Sequence, residues 1–166
     1  WGNGAAMRVS AVGWIGNSIT EVKRLSYMVT AVSHDHIEGI KGAEATAVAI
    51  FMARTGKSKE EIAKYITDNY YDWCSSVAEL QANYSWDGSC QGTVPPALQC
   101  FFESESFENA IRNAISIGGD SDTIGAITGA VAGAYYGIPK EMIETARKYL
   151  PDDLLTIIDK FEKGDY

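Results

Sequence analysis

In the stretch Gly125-Ala-Ile-Thr-Gly129-Ala-Val-Ala-Gly133-Ala-Tyr-Tyr-Gly137 a glycine recurs at every fourth position, with alanines between. That period belongs to one face of an α-helix and not to a strand, whose faces alternate every second residue. Each glycine costs a helix roughly 1 kcal/mol relative to alanine. Such a cost implies that another backbone or a ligand comes close, and tight helix–helix packing is the simpler of the two. No run of the chain alternates with period two for long enough to read as a strand. The expectation is therefore an all-α fold.

Further helices follow from apolar spacing and end signals. A segment from Ala5 to Val12 reads as one helix start between Asn-Gly and Gly-Asn turns. From Ile19, capped by Ser18 or Thr20, the residues Val22, Leu25, Tyr27, Met28 and Val29 make an apolar stripe. Gly39 to Thr55 forms a second helix, with Gly56 just past its end. Ser58-Lys-Glu-Glu61 is a capping box opening a third, and a weaker helical stretch lies near Cys74–Leu80. Residues 81–96 read as the main irregular segment, closed by Pro95 and Pro96 at a helix start. Helices then span 97–103, 107–117 and 123–136, one runs from Pro139 to about Tyr149, and the last covers 152–162. With no linker or internal repeat, residues 1–166 read as a single domain.

The 166-residue chain is long enough to bury a core, and its net charge of −8 argues against nucleic acid or an anionic membrane as a partner. Cys74, Cys90 and Cys100 have no CxxC spacing, which suggests neither a disulfide framework nor a zinc knuckle. With no signal segment and no apolar run of membrane-spanning length, the expected compartment is the cytoplasm. The chain opens on Trp1, which raises the expectation of an upstream part that was removed or lies on another chain.

The stretch Ile117-Gly-Gly-Asp-Ser-Asp-Thr-Ile-Gly125 carries the most chemistry. Asp120, Ser121, Asp122 and Thr123 are all good N-cap residues, so one of them serves as the cap of the following helix on the simplest reading. A cap needs one oxygen, however, and two carboxylates plus two hydroxyls after Gly118-Gly119 also suit a hard cation such as Mg²⁺ or Mn²⁺. Both readings stand on these residues alone. The stretch is not an EF-hand, since Ile124 takes the next ligand position, and not a phosphate loop, since no Gly-Lys-Ser/Thr follows. Gly2-Asn3-Gly4 offers backbone N–H groups without bulk, which suits a diphosphate, although a bare turn has the same signature. His34 and His36 are the only histidines; without HExxH or a nearby cysteine, a hydrogen-bonding role for His34 is favoured over zinc.

Taken together, WGNGAAMRVS, SHDHIEGIKGA, GTVPPALQCFFES and ISIGGDSDTIGAITGAVAGAYYG resemble, in order and separation, the ADP-ribosylglycohydrolase family, which includes bacterial dinitrogenase reductase-activating glycohydrolases. The resemblance implies a helical bundle with a binuclear Mg²⁺ or Mn²⁺ site, a hydrolase that cleaves ADP-ribose from a modified protein or small molecule. By position it implies Asp120, Asp122 and Thr123 as metal ligands, with Asp120 and Asp122 also serving catalysis. Gly2, Asn3 and Gly4 would lie along the diphosphate and ribose, Trp1 near the adenine, His34 beside the ligand, and Gly118, Gly119 and Ser121 around the ribose on the metal side. The Tyr84-Ser-Trp86-Asp87 segment would either contribute to the rim that selects the acceptor or serve only in core packing. Ser33 stands where a threonine is common. Nothing in the chain matches the family's N-terminal half, with its Thr-Asp-Asp ligand set and general acid or base. The expected partner is therefore an N-terminal fragment of the same enzyme or a second copy, and the alternative is a non-catalytic ADP-ribose-binding or scaffold module.

Overall fold

A computed structural model describes residues 1–72 and 75–165. Its regular structure is helical: α1 (Gly4–Met7), α2 (Ser10–Ile15), α3 (Ile19–Ala31), α4 (Ile37–Arg54), α5 (Lys59–Asn69), α6 (Val77–Asn83), α7 (Cys90–Phe102), α8 (Phe107–Ser116), α9 (Ser121–Tyr136), α10 (Lys140–Arg147) and α11 (Asp152–Lys163). An isolated antiparallel bridge, Gly2 with Ser89, ties the N-terminal loop to the segment before α7.

Helix α4 is the axle of the bundle. Gly39, Gly42, Ala43, Ala45, Ala47 and Ala49 are buried on several sides of it, so it takes neighbours all round: α1, α2, α3, α5, α7 and α9. Two close approaches depend on missing side chains. A Cβ on Gly13 of α2 would sit 2.6 Å from the Ile50 Cβ and 2.8 Å from the Ala47 carbonyl oxygen, and one on Gly42 would sit 2.6 Å from the Cys90 Sγ. Arg54, at the end of α4, donates to the carbonyl oxygens of Gly13 and Gly16 and so closes off α2. The core joins α4 to Phe101, Leu98, Ile62, Ile66, Ile124, Ile127 and Val131.

The glycine stripe of α9 resolves into packing. Ideal Cβ atoms on Gly125, Gly129 and Gly133 would meet Ile115 at 3.6 Å, Ile111 at 2.9 Å, and Ile138 at 3.1 Å and Phe107 at 3.6 Å, so α8 lies along the stripe. Gly137 has a different reason, a φ of +76° that ends the helix. Near the same end Lys59 donates to the Phe102 and Ser104 carbonyls, its ammonium 5.1 to 5.9 Å from the Phe101, Tyr135 and Tyr136 ring centres.

Several elements depart from the sequence-based expectation. The segment 5–12 breaks at Arg8 and Val9 into α1 and α2. On α3 the buried line is Val22, Ser26 and Thr30, whereas Tyr27, Met28 and Val29 face outward. Four-residue spacing from Val22 reaches Ser26 and Thr30, small enough to lie against the alanine-rich α4. The irregular segment shrinks to 84–89, because α7 starts at Cys90 with Ser89 accepting from the Gly92 N–H at 3.1 Å. Pro95 and Pro96 therefore lie inside α7. The Gly92 carbonyl that Pro96 leaves without a helical N–H accepts the Tyr84 hydroxyl at 3.1 Å, which gives that orphaned acceptor a donor. Helix α6 begins at Val77, and Cys74 of that expected stretch lies outside the described residues. The Ser58 capping box, the Ser18 cap and Gly56 at a φ of +82° are all present.

Candidate functional site

The site is built where the N-terminal loop meets the start of α9. Asn3 is buried, and its Nδ2 donates to the Thr93 Oγ1 at 3.0 Å and to the Asp120 Oδ2 at 2.6 Å. Thr93, itself buried in the first turn of α7, donates to the Asp87 carbonyl at 2.9 Å. Backbone bonds fix the same loop from below, Asn3 N–H to Gly88 O at 2.9 Å and Cys90 N–H to Trp1 O at 2.8 Å. One side chain thus joins α7, α9 and the Gly2-Asn3-Gly4 turn.

The Gly118-Gly119 pair makes the bend ahead of α9, both residues being left-handed at φ +72° and +64°. A Cβ on Gly119 would lie 2.5 Å from the Tyr84 ring, so this glycine answers both strain and contact. Asp120 stands at the N-cap position without making a capping bond, because its carboxylate turns to Asn3. Asp122 accepts the Thr123 N–H at 2.9 Å. A hydrogen bond to Asp120 and then that Thr123 amide hold the Asp122 carboxyl below its ordinary value. The expectation that one of these side chains caps α9 is thereby corrected: a longer-range partner draws the Asp120 carboxylate away. Ser121 opens the helix. Among the described residues the buried Thr123 hydroxyl reaches the Met7 Sδ at 3.5 Å, a weak acceptor.

On the other flank of the loop the His34 ring covers both glycines, its Nε2 lying 3.1 Å from where a Gly4 Cβ would stand and 3.5 Å from that of Gly2. Burial, then the Arg8 guanidinium, holds His34 below its ordinary value of 6.5. His36 plays a separate part, since its Nδ1 accepts the Glu38 N–H at 3.2 Å at the start of α4, and its ring meets Trp1 edge-on, with centres 6.1 Å apart. Trp1 is 65% exposed. Trp86 is also exposed, at 71%, on the 84–89 segment. Thr93 is a site residue that the sequence does not single out. Its one signal is a polar residue directly before Val-Pro-Pro, which only the buried contact distinguishes from helix packing.

Asp120, Asp122 and Thr123 offer the hard oxygen donors that Mg²⁺ or Mn²⁺ prefers. Among the described residues, however, no three or more His, Cys, Asp or Glu side chains gather closely enough to hold a metal ion. The donor type fits and the donor number is that of a part site.

With this geometry in place, comparison with known proteins gives a consistent result. The family model described as ADP-ribosylglycohydrolase matches residues 1–165. ADP-ribosylhydrolase ARH3 of Homo sapiens is 26% identical over 204 residues, covering 93% of this chain and 56% of that protein. An uncharacterized protein of Archaeoglobus fulgidus is 30% identical, covering 85% of this chain and 52% of its own. The ADP-ribosyl-[dinitrogen reductase] glycohydrolase of Rhodospirillum rubrum is 37% identical over 46 residues. A solved structure titled ADP-ribosylglycohydrolase-related protein complex superposes with a TM-score of 0.64 at 26% identity, covering 86% of this chain and 54% of that one. The chain belongs to the ADP-ribosylglycohydrolase family, and it spans about half the length of the curated relatives that cover most of it. Among the described residues no helix is long and apolar enough to cross a membrane.

Proposed function

We propose that this chain supplies one part of a metal-dependent hydrolase site that removes ADP-ribose from a modified protein side chain or small molecule. The observation that carries the reading is the 2.6 Å bond between Asn3 and Asp120, residues 117 positions apart. It supports reading the glycine loop and the carboxylate pair as two walls of one site, in a chain the family model matches over residues 1–165. Asp120, Asp122 and Thr123 would hold the cation; Mg²⁺ or Mn²⁺, when bound, supplies a Lewis acid toward ribose hydroxyls and water. The remaining donors would come from a further segment of the same enzyme. The Gly2 and Gly4 backbone would lie along the diphosphate with His34 packed on both glycines beside the ligand, and Trp1 would offer a ring to the adenine. Positive charge that develops at the anomeric carbon as the glycosidic bond breaks is stabilised by the Asp120 and Asp122 carboxylates.

Exposed apolar side chains on α3 and just beyond it, including Tyr27, Met28, Val32 and Ile37, support association with that further segment or with a second copy. The test is release of ADP-ribose, in Mg²⁺ or Mn²⁺, by the chain combined with the N-terminal half of a family enzyme. Asp122→Ala is expected to reduce release by about a hundredfold or more. Full release by that variant sinks the proposal.

A second reading, a non-catalytic ADP-ribose-binding module, is favoured by the part site alone. Calorimetry of the chain with ADP-ribose, with and without Mg²⁺, separates the two. Metal-independent binding with no turnover after supplementation selects the module.

A further inference from the structure

The break between α1 and α2 places Arg8 where its side chain reaches Ser33, at the exit of α3. The Arg8 Nη2 donates to the Ser33 Oγ, and the same Oγ lies 2.9 Å from the His34 Nδ1. Guanidinium has donors and no acceptor, so at this contact Ser33 can only accept. The single proton of its hydroxyl is then available to the remaining neighbour, Nδ1, which receives it when unprotonated. A neutral imidazole with a bare Nδ1 carries its proton on Nε2. Among the described residues that Nε2 has no hydrogen-bond partner, and it lies over the Gly2-Asn3-Gly4 loop.

We propose that Arg8 and Ser33 are positioning residues that lock His34 in the neutral Nε2–H form, aimed at an acceptor oxygen of the ligand lying over the glycine loop. The chemical class of that acceptor is a phosphate or ribose oxygen of a nucleotide sugar, and this part rests on the reading of the site as one for ADP-ribose. A protonated His34 would have both ring nitrogens donate, so that Ser33 would accept from two donors and turn its own proton away from the ring. The depressed pKa of His34 agrees with the neutral form. Arg8 and Ser33 are both exposed, so neither is required for the core, and substitutions there leave the fold intact.

The tautomer is read directly on chain labelled with ¹⁵N-histidine, from two-bond ¹H–¹⁵N correlations of the ring nitrogens. With only two histidines, a His34→Gln variant assigns the signals. The native chain is expected to show an unprotonated Nδ1 and a protonated Nε2. Ser33→Ala and Arg8→Ala are each expected to shift both nitrogens toward values averaged over two tautomers, and Ser33→Thr to preserve the native pattern. Where the native chain binds ADP-ribose by calorimetry, Ser33→Ala weakens binding by about two- to tenfold, the range of one neutral hydrogen bond, and Ser33→Thr does not. A protonated Nδ1 in the native chain, or unchanged nitrogens in either alanine variant, overturns the proposal. Absence of ADP-ribose binding by the native chain with the nitrogen pattern as expected overturns the ligand reading and leaves the relay standing, so the two failures are distinct.

Discussion

Asn3 shows how much of this site hangs on single side chains. Its amide gives one bond to a buried hydroxyl and one to a carboxylate, and its backbone is bound to the Gly88 carbonyl. Asn3→Ala leaves the Thr93 oxygen without its donor and frees the Asp120 carboxylate. An unmet buried polar group costs about 1–3 kcal/mol, so the midpoint of urea unfolding should fall accordingly. A midpoint equal to that of the native chain would show that Asn3 does not hold the loop. Gly119 and Gly118 are comparably specific, since each needs a positive φ and the first also lies against Tyr84. The Gly-Gly pair is legible in the sequence as a bend. The Asn3 partners are not, because a turn asparagine looks the same whether its amide meets water or residues about 90 and 117 positions away.

Among the elements, the two glycine-bearing interfaces are predicted to respond differently to the same substitution. Gly13→Ala would press a methyl group onto the Ile50 Cβ and the Ala47 carbonyl oxygen, and neither can swing away. Overpacking of this kind costs about 1–3 kcal/mol, more than the roughly 1 kcal/mol by which alanine favours a helix at most. Gly129→Ala meets only the terminal Ile111 Cδ1 at 2.9 Å, which a rotamer change can clear. Calorimetric melting should therefore show a lower midpoint for Gly13→Ala and little change for Gly129→Ala; the reverse order would contradict the packing of α2 on α4. The period-four pattern signals such a contact in α9, while the isolated Gly13 in Val-Gly-Trp carries no pattern at all. Helix ends are better marked, as the Ser58 box and the Gly56 end show. The start of α7 is not, because the proline pair is a strong local signal that the Tyr84 hydroxyl offsets through a tertiary contact.

At the scale of the whole molecule, titration of a few groups predicts a stability profile with two falling limbs. The capping-box carboxylates Glu61 and Glu79 are held below the ordinary value of 4.5: Glu61 first by Lys57 and then by the Ser58 amide, Glu79 by the Ser76 amide and hydroxyl. A depressed carboxyl contributes stability that is present above its unfolded value and lost as pH falls through its folded one, so unfolding should become easier below about pH 4.5. On the alkaline side, burial pushes the Cys90 thiol from 9.0 up to about 11. A raised group contributes stability that is present below its unfolded value and lost as pH rises through its folded one. The thiol's share of the second limb therefore runs from about pH 9 to about 11, and the Tyr70 and Tyr71 hydroxyls, also pushed up by burial, add to it above about pH 10. Denaturant midpoints measured across about pH 3 to 11 test both, and Cys90→Ser should remove the fall between about pH 9 and 10, where the thiol acts before the tyrosines.

The sequence by itself determined the helical class, because residue spacing and cap chemistry are local and each helix announces its own period. It also carried the family, since four motifs in order between Trp1 and Gly137 are a stronger sign than any one of them. Only the tertiary structure decided which motif residues share a site. The Asn3 amide, the Asp120 carboxylate, the Thr93 hydroxyl and the His34 ring come from four separate stretches, and their meeting depends on how closely α1, α7 and α9 approach α4. That distance is set by glycine and alanine on several faces at once, an effect of three-dimensional packing that no one-dimensional pattern contains.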